Sequence, residues 1–242
     1  MSTLSASPAD AAAPAAAEAR PLIWDAPVRV FHWLMALSFA GAYLTAESES
    51  WRLVHVTLGY TMAGLVVFRL LWGVVGTRHA RFADFVRGPS AVLRYARSLV
   101  AGRPEHHVGH NPAGALAIVA LLALALGVAA SGWATYNELG GDALEEVHEM
   151  VANLMLGLVA IHIGAVLLSS WLHQENLVRA MITGRKPAPR EQGVARARRG
   201  VALLLLASVL GFWAWQWQTA PAGATLPGMA AERHHGGDRD DD

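Results

Sequence analysis

The chain has 242 residues, is 54% hydrophobic and 16% charged, and balances 19 basic against 19 acidic side chains. Zero net charge gives nucleic-acid binding no support, and the absence of cysteine excludes disulfides, Cys-ligated iron–sulfur clusters and covalent haem attachment through CxxCH. Long apolar runs predict an all-α polytopic membrane helix bundle built as one domain.

Residues 1–20 are Ala-rich and low in complexity, and read as a disordered cytoplasmic tail. They lack the basic start and apolar core of a secretory signal. The first span is predicted at Val28–Ala46, introduced by PLIWDAPVRVFHW. His32 lies about one turn inside it, with Arg29 on its N-terminal side. An interfacial anchor, shared with Trp33, is the plain alternative for His32. A short acidic loop, Glu47–Arg52, leads to the second span, Leu53–Val75. His55 stands near its start and Arg69 near its far end, where an arginine ordinarily snorkels to the interface. Gly59 and Gly64 mark either close helix packing or room for a flat macrocycle.

Residues 76–111 form a polar loop carrying Arg78, Arg81, Arg87, Arg94, Arg97 and Arg103. Within it, Pro89–Val100 alternates apolar and basic residues at helical spacing and predicts a short amphipathic helix on the membrane surface. His106, His107 and His110 follow without an Asp or Cys ligand set, a poor pattern for a dedicated metal site. The third span, Pro112–Trp133, holds no histidine and is expected to pack without ligating. The acidic residues Glu138, Asp142, Glu145 and Glu146 lead into the fourth span, Glu145–Trp171, which opens on the last two of them and carries His148 and His162. A second basic loop contains Arg179, Arg185, Lys186, Arg190, Arg196, Arg198 and Arg199. The fifth span, Val201–Trp217, ends in an aromatic belt of Trp213, Trp215 and Trp217. A polar tail over 219–242 carries His234 and His235 and reads as solvated.

The two basic loops belong in the cytoplasm by positive-inside bias. The N-terminus is then cytoplasmic and the C-terminus, after five crossings, periplasmic, as expected of a protein of the bacterial inner membrane. This orientation sorts the histidines by depth. His148 and His162 are 14 residues apart, roughly 21 Å along a helix and within about 40° of one face. His55 and His148 start helices from the outer side; His32 and His162 lie in the cytoplasmic half. A polar side chain within a membrane helix usually faces the bundle interior and marks function. Two pairs at two depths fit two bis-histidine haems, which without cysteine are non-covalent haem b. Coordination by two histidines leaves no open position for oxygen chemistry and suits electron transfer. Arg29 and Arg69 are then candidates to offset the propionates of the inner haem.

WDAPVRVFHW, WRLVHVTLGY with VVFRLLWGVVG, FVRGPSAVLRY, GHNPAG, and VHEMVANL through GLVAIH, taken in this order over residues 22–187, resemble bacterial cytochrome b561 and its relatives, the b-type cytochrome subunits of nickel–iron hydrogenases. The resemblance implies a four-helix dihaem core over 21–187, with His32, His55, His148 and His162 as axial ligands. It also implies quinone as substrate and a redox partner such as a hydrogenase, another oxidoreductase or a c-type cytochrome. The linker and fifth helix at 188–218 exceed that core. A histidine-lined proton or ion transporter is the first competing reading, and a haem-free membrane anchor subunit the second. Against the first, no span pairs an acid with a histidine near mid-membrane. Partner, direction of electron flow and oligomeric state stay open at this level.

Overall fold

The structure, a computed structural model, describes residues 19–103 and 105–220; residues 1–18 of the tail expected at 1–20, and the His234–His235 segment, lie outside the described residues. Among the described residues it is all-helical, with a single isolated antiparallel bridge between Leu22 and Arg185. Five long helices make the bundle. They are α1 (Ala26–Leu44), α2 (Arg52–Val75), α5 (Pro112–Tyr136), α6 (Gly141–Leu172) and α8 (Arg199–Thr219). Three short helices, α3 (Phe82–Phe85), α4 (Pro89–Val100) and α7 (Leu177–Thr183), lie in the two basic connections. The amphipathic helix expected at Pro89–Val100 forms with those bounds.

The helices start where local chemistry provides partners for their free N–H groups. Asp25 caps α1, its Oδ1 accepting from Val28 N at 2.9 Å, with Pro27 in the first turn. Asn111 caps α5 by accepting from Gly114 N at 2.6 Å, and Pro112 follows it. Asn176 caps α7 by accepting from Arg179 N at 2.7 Å. Each such cap contributes about 1 kcal/mol, and proline at the first helical position loses no bond it could have made.

The stretch from Glu49 through α2 to Val75, together with α5, α6 and α8, is long and apolar enough to cross a membrane. The 19-residue α1, which carries Arg29 and His32, is not one of these four candidate spans, and it packs along α2 on one side and α8 on the other. α5 packs along α6 and also touches α2. Phe39, Met62, Val66, Ala125, Val128 and Met155 form the central apolar cluster from α1, α2, α5 and α6. A second cluster binds α8 to the bundle: Leu205 and Val209 pack on Leu65, Phe31 and Leu34. Trp213 Nε1 donates to Thr61 Oγ1 of α2 at 2.8 Å, satisfying an indole within this apolar contact.

The basic connections fold onto the ends of the helices as a floor. Ile23 N and Trp24 N both donate to Gly184 O, at 2.7 and 3.0 Å. Gly184 closes α7 in the left-handed conformation at φ 80°, and a Cβ there would meet Trp24 O at 2.6 Å, so only glycine fits. Asp25 is 1% exposed, and its Oδ2 accepts from Trp72 Nε1 at 3.0 Å and Thr77 Oγ1 at 2.7 Å, tying the start of α1 to the end of α2. Lys186 pairs with Glu175 at 3.2 Å, both nearly buried, and holds the end of α6 to the segment after α7.

Candidate functional site

The four expected histidines come from α1, α2 and α6. His55 and His148 meet: their ring centroids are 6.1 Å apart and the planes stand at 84°. Each ring is held through Nδ1. His55 Nδ1 is 2.8 Å from Ala42 O on α1. His148 Nδ1 is 3.1 Å from Val128 O and 3.1 Å from Ser131 Oγ, both on α5. A carbonyl oxygen can only accept, so Nδ1 carries a proton in each ring, and it is Nε2 that keeps the lone pair whenever the ring is neutral. Two half-buried imidazoles in this tautomer can donate to one metal ion between them.

His148 reaches its acceptors because α5 has no side chain in the way. A Cβ on Gly132 would come within 2.8 Å of His148 Cε1 and 3.2 Å of Nδ1. Ser131 and Gly132 shape the surroundings of the His148 ring, which the expectation that the third span simply packs did not foresee. Their only signal in the sequence is a small polar–glycine pair inside an otherwise apolar helix.

At the other end of the bundle, His32 and His162 lie within electrostatic reach of one another. His32 packs edge-on against Trp33 at 5.2 Å, and its Nδ1 is buried with no hydrogen-bond partner. Along α6 the two levels are roughly 21 Å apart by helix rise.

Arg69 and Arg29 fare differently. Arg29 Nη1 donates to Ile182 O at 2.6 Å and its Nε to Asp25 O at 3.3 Å, so it is spent on joining α1 to α7. Arg69 is 3% exposed, its guanidinium carbon stands 4.7 Å above the Phe82 ring, and its Nη1 is buried without a partner. A buried guanidinium donor left unpaired costs free energy unless something anionic or a water reaches it.

The loop histidines serve the floor. His110 is clasped between Trp24 and Phe85, each ring centroid 4.5 Å away, and its Nδ1 is shielded from solvent with no partner. Burial, then the positive charge of Arg69 and further repulsion from His79, Lys186 and His162, pushes its pKa down to about 3. His107 stacks on Tyr95 at 5.6 Å. A cavity of ≈ 760 Å³ opens beneath α4, lined among others by Arg78, His79, Phe85, Ala91, Arg94 and His110.

Residues 23–184 match the family model of prokaryotic cytochrome b561. The chain is 23% identical over 212 residues to the "Probable Ni/Fe-hydrogenase B-type cytochrome subunit" of Rhodobacter capsulatus, covering 68% of this chain and 80% of the relative. It is 24% identical to the protein of that name from Rhizobium leguminosarum bv. viciae, over 68% of this chain and 87% of the relative. The Azotobacter vinelandii protein of that name is 30% identical over 150 residues, 50% of this chain and 62% of the relative. No solved structure gives a significant match.

Proposed function

Because this chain belongs to the prokaryotic cytochrome b561 family, and is thus a multi-pass membrane b-type cytochrome of electron transfer, we propose that it holds two haems b. His55 and His148 would ligate the outer haem, and His32 and His162 the inner one. α1 is taken as a fifth crossing beside the four strongly apolar helices, with the N-terminus cytoplasmic and the C-terminus periplasmic. The observation that carries the reading is the His55–His148 pair. A metal–imidazole bond of about 2 Å, with the ring centre about 1.1 Å behind the nitrogen, puts two opposed ring centres about 6.3 Å apart; the observed separation is 6.1 Å. The Nδ1 bonds to Ala42 O and Val128 O leave the ligating nitrogens free. The partnerless Nη1 of Arg69 suits the carboxylate of an inner-haem propionate, whereas Arg29 already has its carbonyl partners.

When bound, each haem would supply a one-electron couple. The protein's part is to hold the ligand rings, exclude water and set the local charge. We further propose quinone exchange on the cytoplasmic half, with the cavity beneath α4 as its candidate site, and a periplasmic redox protein or hydrogenase as the outer partner. The named relatives and the acidic outer residues Glu138, Asp142, Glu145 and Glu146 support that partner. A pyridine haemochrome assay on the purified protein tests the core of the reading. Two extractable haems b per chain are expected; one or none would overturn it.

A further inference from the structure

The two histidine levels differ in how their rings are held. At the His55–His148 level both Nδ1 atoms face acceptors: Ala42 O at 2.8 Å for one, Val128 O and Ser131 Oγ at 3.1 Å for the other. At the His32–His162 level, His32 Nδ1 is buried and unpartnered, and no hydrogen bond reaches the His162 ring among the described residues. α5 supplies no ligand, yet it supplies two of the three acceptors.

From this asymmetry, and resting on the reading of His55 and His148 as axial ligands, we propose that Ser131 is a positioning residue that fixes the His148 ring and lowers the reduction potential of the outer haem relative to the inner one. Ser131 is 8% exposed, and its hydroxyl hydrogen is already committed to Gly127 O at 2.8 Å, four residues back along α5. The oxygen therefore turns a lone pair, not a proton, towards the His148 ring. Nδ1–H is shared between this lone pair and Val128 O, a three-centre bond that sets both the tautomer and the rotation of the ring. Donation from Nδ1–H leaves more electron density on Nε2, and a more basic axial nitrogen favours ferric over ferrous iron. Among the described residues no comparable hydrogen bond acts on the inner pair. The surrounding charge works in the same direction: Glu145 lies within electrostatic reach of His148, whereas Arg69 stands in the inner half. An electron delivered at the outer level then runs downhill towards the inner level.

The test is a redox titration of the intact, haem-loaded protein in detergent, followed by visible spectra and by low-temperature electron paramagnetic resonance of the ferric signals. The spectral component lost in His148→Ala identifies the outer step. The wild type should titrate in two steps, with the outer step lower. Ser131→Ala should keep both haems, move the outer step upward and alter its low-spin ferric signal, and leave the inner step in place. Ser131→Thr, which retains the oxygen, should restore the wild-type outer step. If Ser131→Ala leaves the outer step and its signal unchanged, or shifts both steps equally, the assignment of Ser131 fails although the dihaem reading stands. If His148→Ala removes no haem component, the ligand reading itself fails, and this inference with it.

Discussion

Replacing Gly132 with alanine is the sharpest steric probe of the His148 site. The new Cβ would sit 2.8 Å from His148 Cε1, where ordinary contact begins at 3.4 Å, so the ring must retreat by about 0.6 Å. Its acceptors, Val128 O and Ser131 Oγ, lie on the same helix as the intruding methyl. Moving off α5 therefore stretches the 3.1 Å contacts towards about 3.7 Å, beyond a hydrogen bond. Lost hydrogen bonding and overpacking together cost roughly 2–4 kcal/mol. Loss of a ligand's supporting contacts typically weakens metal retention roughly 10- to 100-fold. The expected result is a haem-to-protein ratio falling from near two towards one, with loss confined to the component that His148→Ala removes. Gly211→Ala on α8, away from the histidine-bearing helices, is the control, because its Cβ would meet nothing within 4 Å. Full haem content and an unchanged spectrum in Gly132→Ala would refute the steric argument; equal loss in Gly211→Ala would show a general packing effect instead.

Four further outcomes are expected. His55→Ala and His148→Ala should remove one spectral component and His32→Ala and His162→Ala the other; loss of one common component by His55→Ala and His162→Ala would break the pairing. Arg69→Gln should lower the inner midpoint potential by about 40 mV, on the order of 1 kcal/mol for one buried charge, and an unmoved potential would return Arg69 to ordinary packing beneath Phe82. His110 binds its proton less readily folded than unfolded, so the folded state should lose stability as pH falls from about 6.5 towards about 3, with a slope approaching about 1.4 kcal/mol per pH unit; His110→Phe should flatten that limb in thermal unfolding followed against pH. Neutralising Glu138, Asp142, Glu145 and Glu146 together should slow electron transfer with a basic outer partner and flatten its salt dependence while quinone reactions hold, and unaltered partner kinetics at low salt would remove these acids from docking.

The long helices were legible because length and apolarity are summed over twenty or more residues, and the start of α5 at Pro112 was marked by Asn-Pro chemistry. α4 was legible from its two-sided pattern. The four-residue α3 and seven-residue α7 were not, since neither is long enough to establish a period. The meeting of His55 with His148 could be anticipated from depth alone, because helical rise converts sequence position into height in a bundle. What holds their rings could not. Ala42 O and Val128 O are backbone atoms, present at every residue, and which of them faces an imidazole depends on how α1 and α5 are rotated against their neighbours.

The floor shows the same limit from the opposite side. In sequence, His110 reads as a loop histidine, and Arg69 either as an arginine snorkelling to the interface or as a candidate to offset the propionates of the inner haem. In the fold the loop turns inward, and both present shielded nitrogens without partners below the same helix ends. Two neighbouring unsatisfied polar groups are costly in a bundle that satisfies its Asp25, Trp72, Thr77 and Trp213 side chains. That cost is offset only if something polar enters from the inner half. An arginine that needs an anion and a histidine kept neutral beside it make the inner end a different electrostatic environment from the outer end, where carbonyls and a serine oxygen surround the rings. On the proposed dihaem reading, the polarity of the electron path would be set less by the four histidines, which are the same residue four times, than by what stands behind each of them.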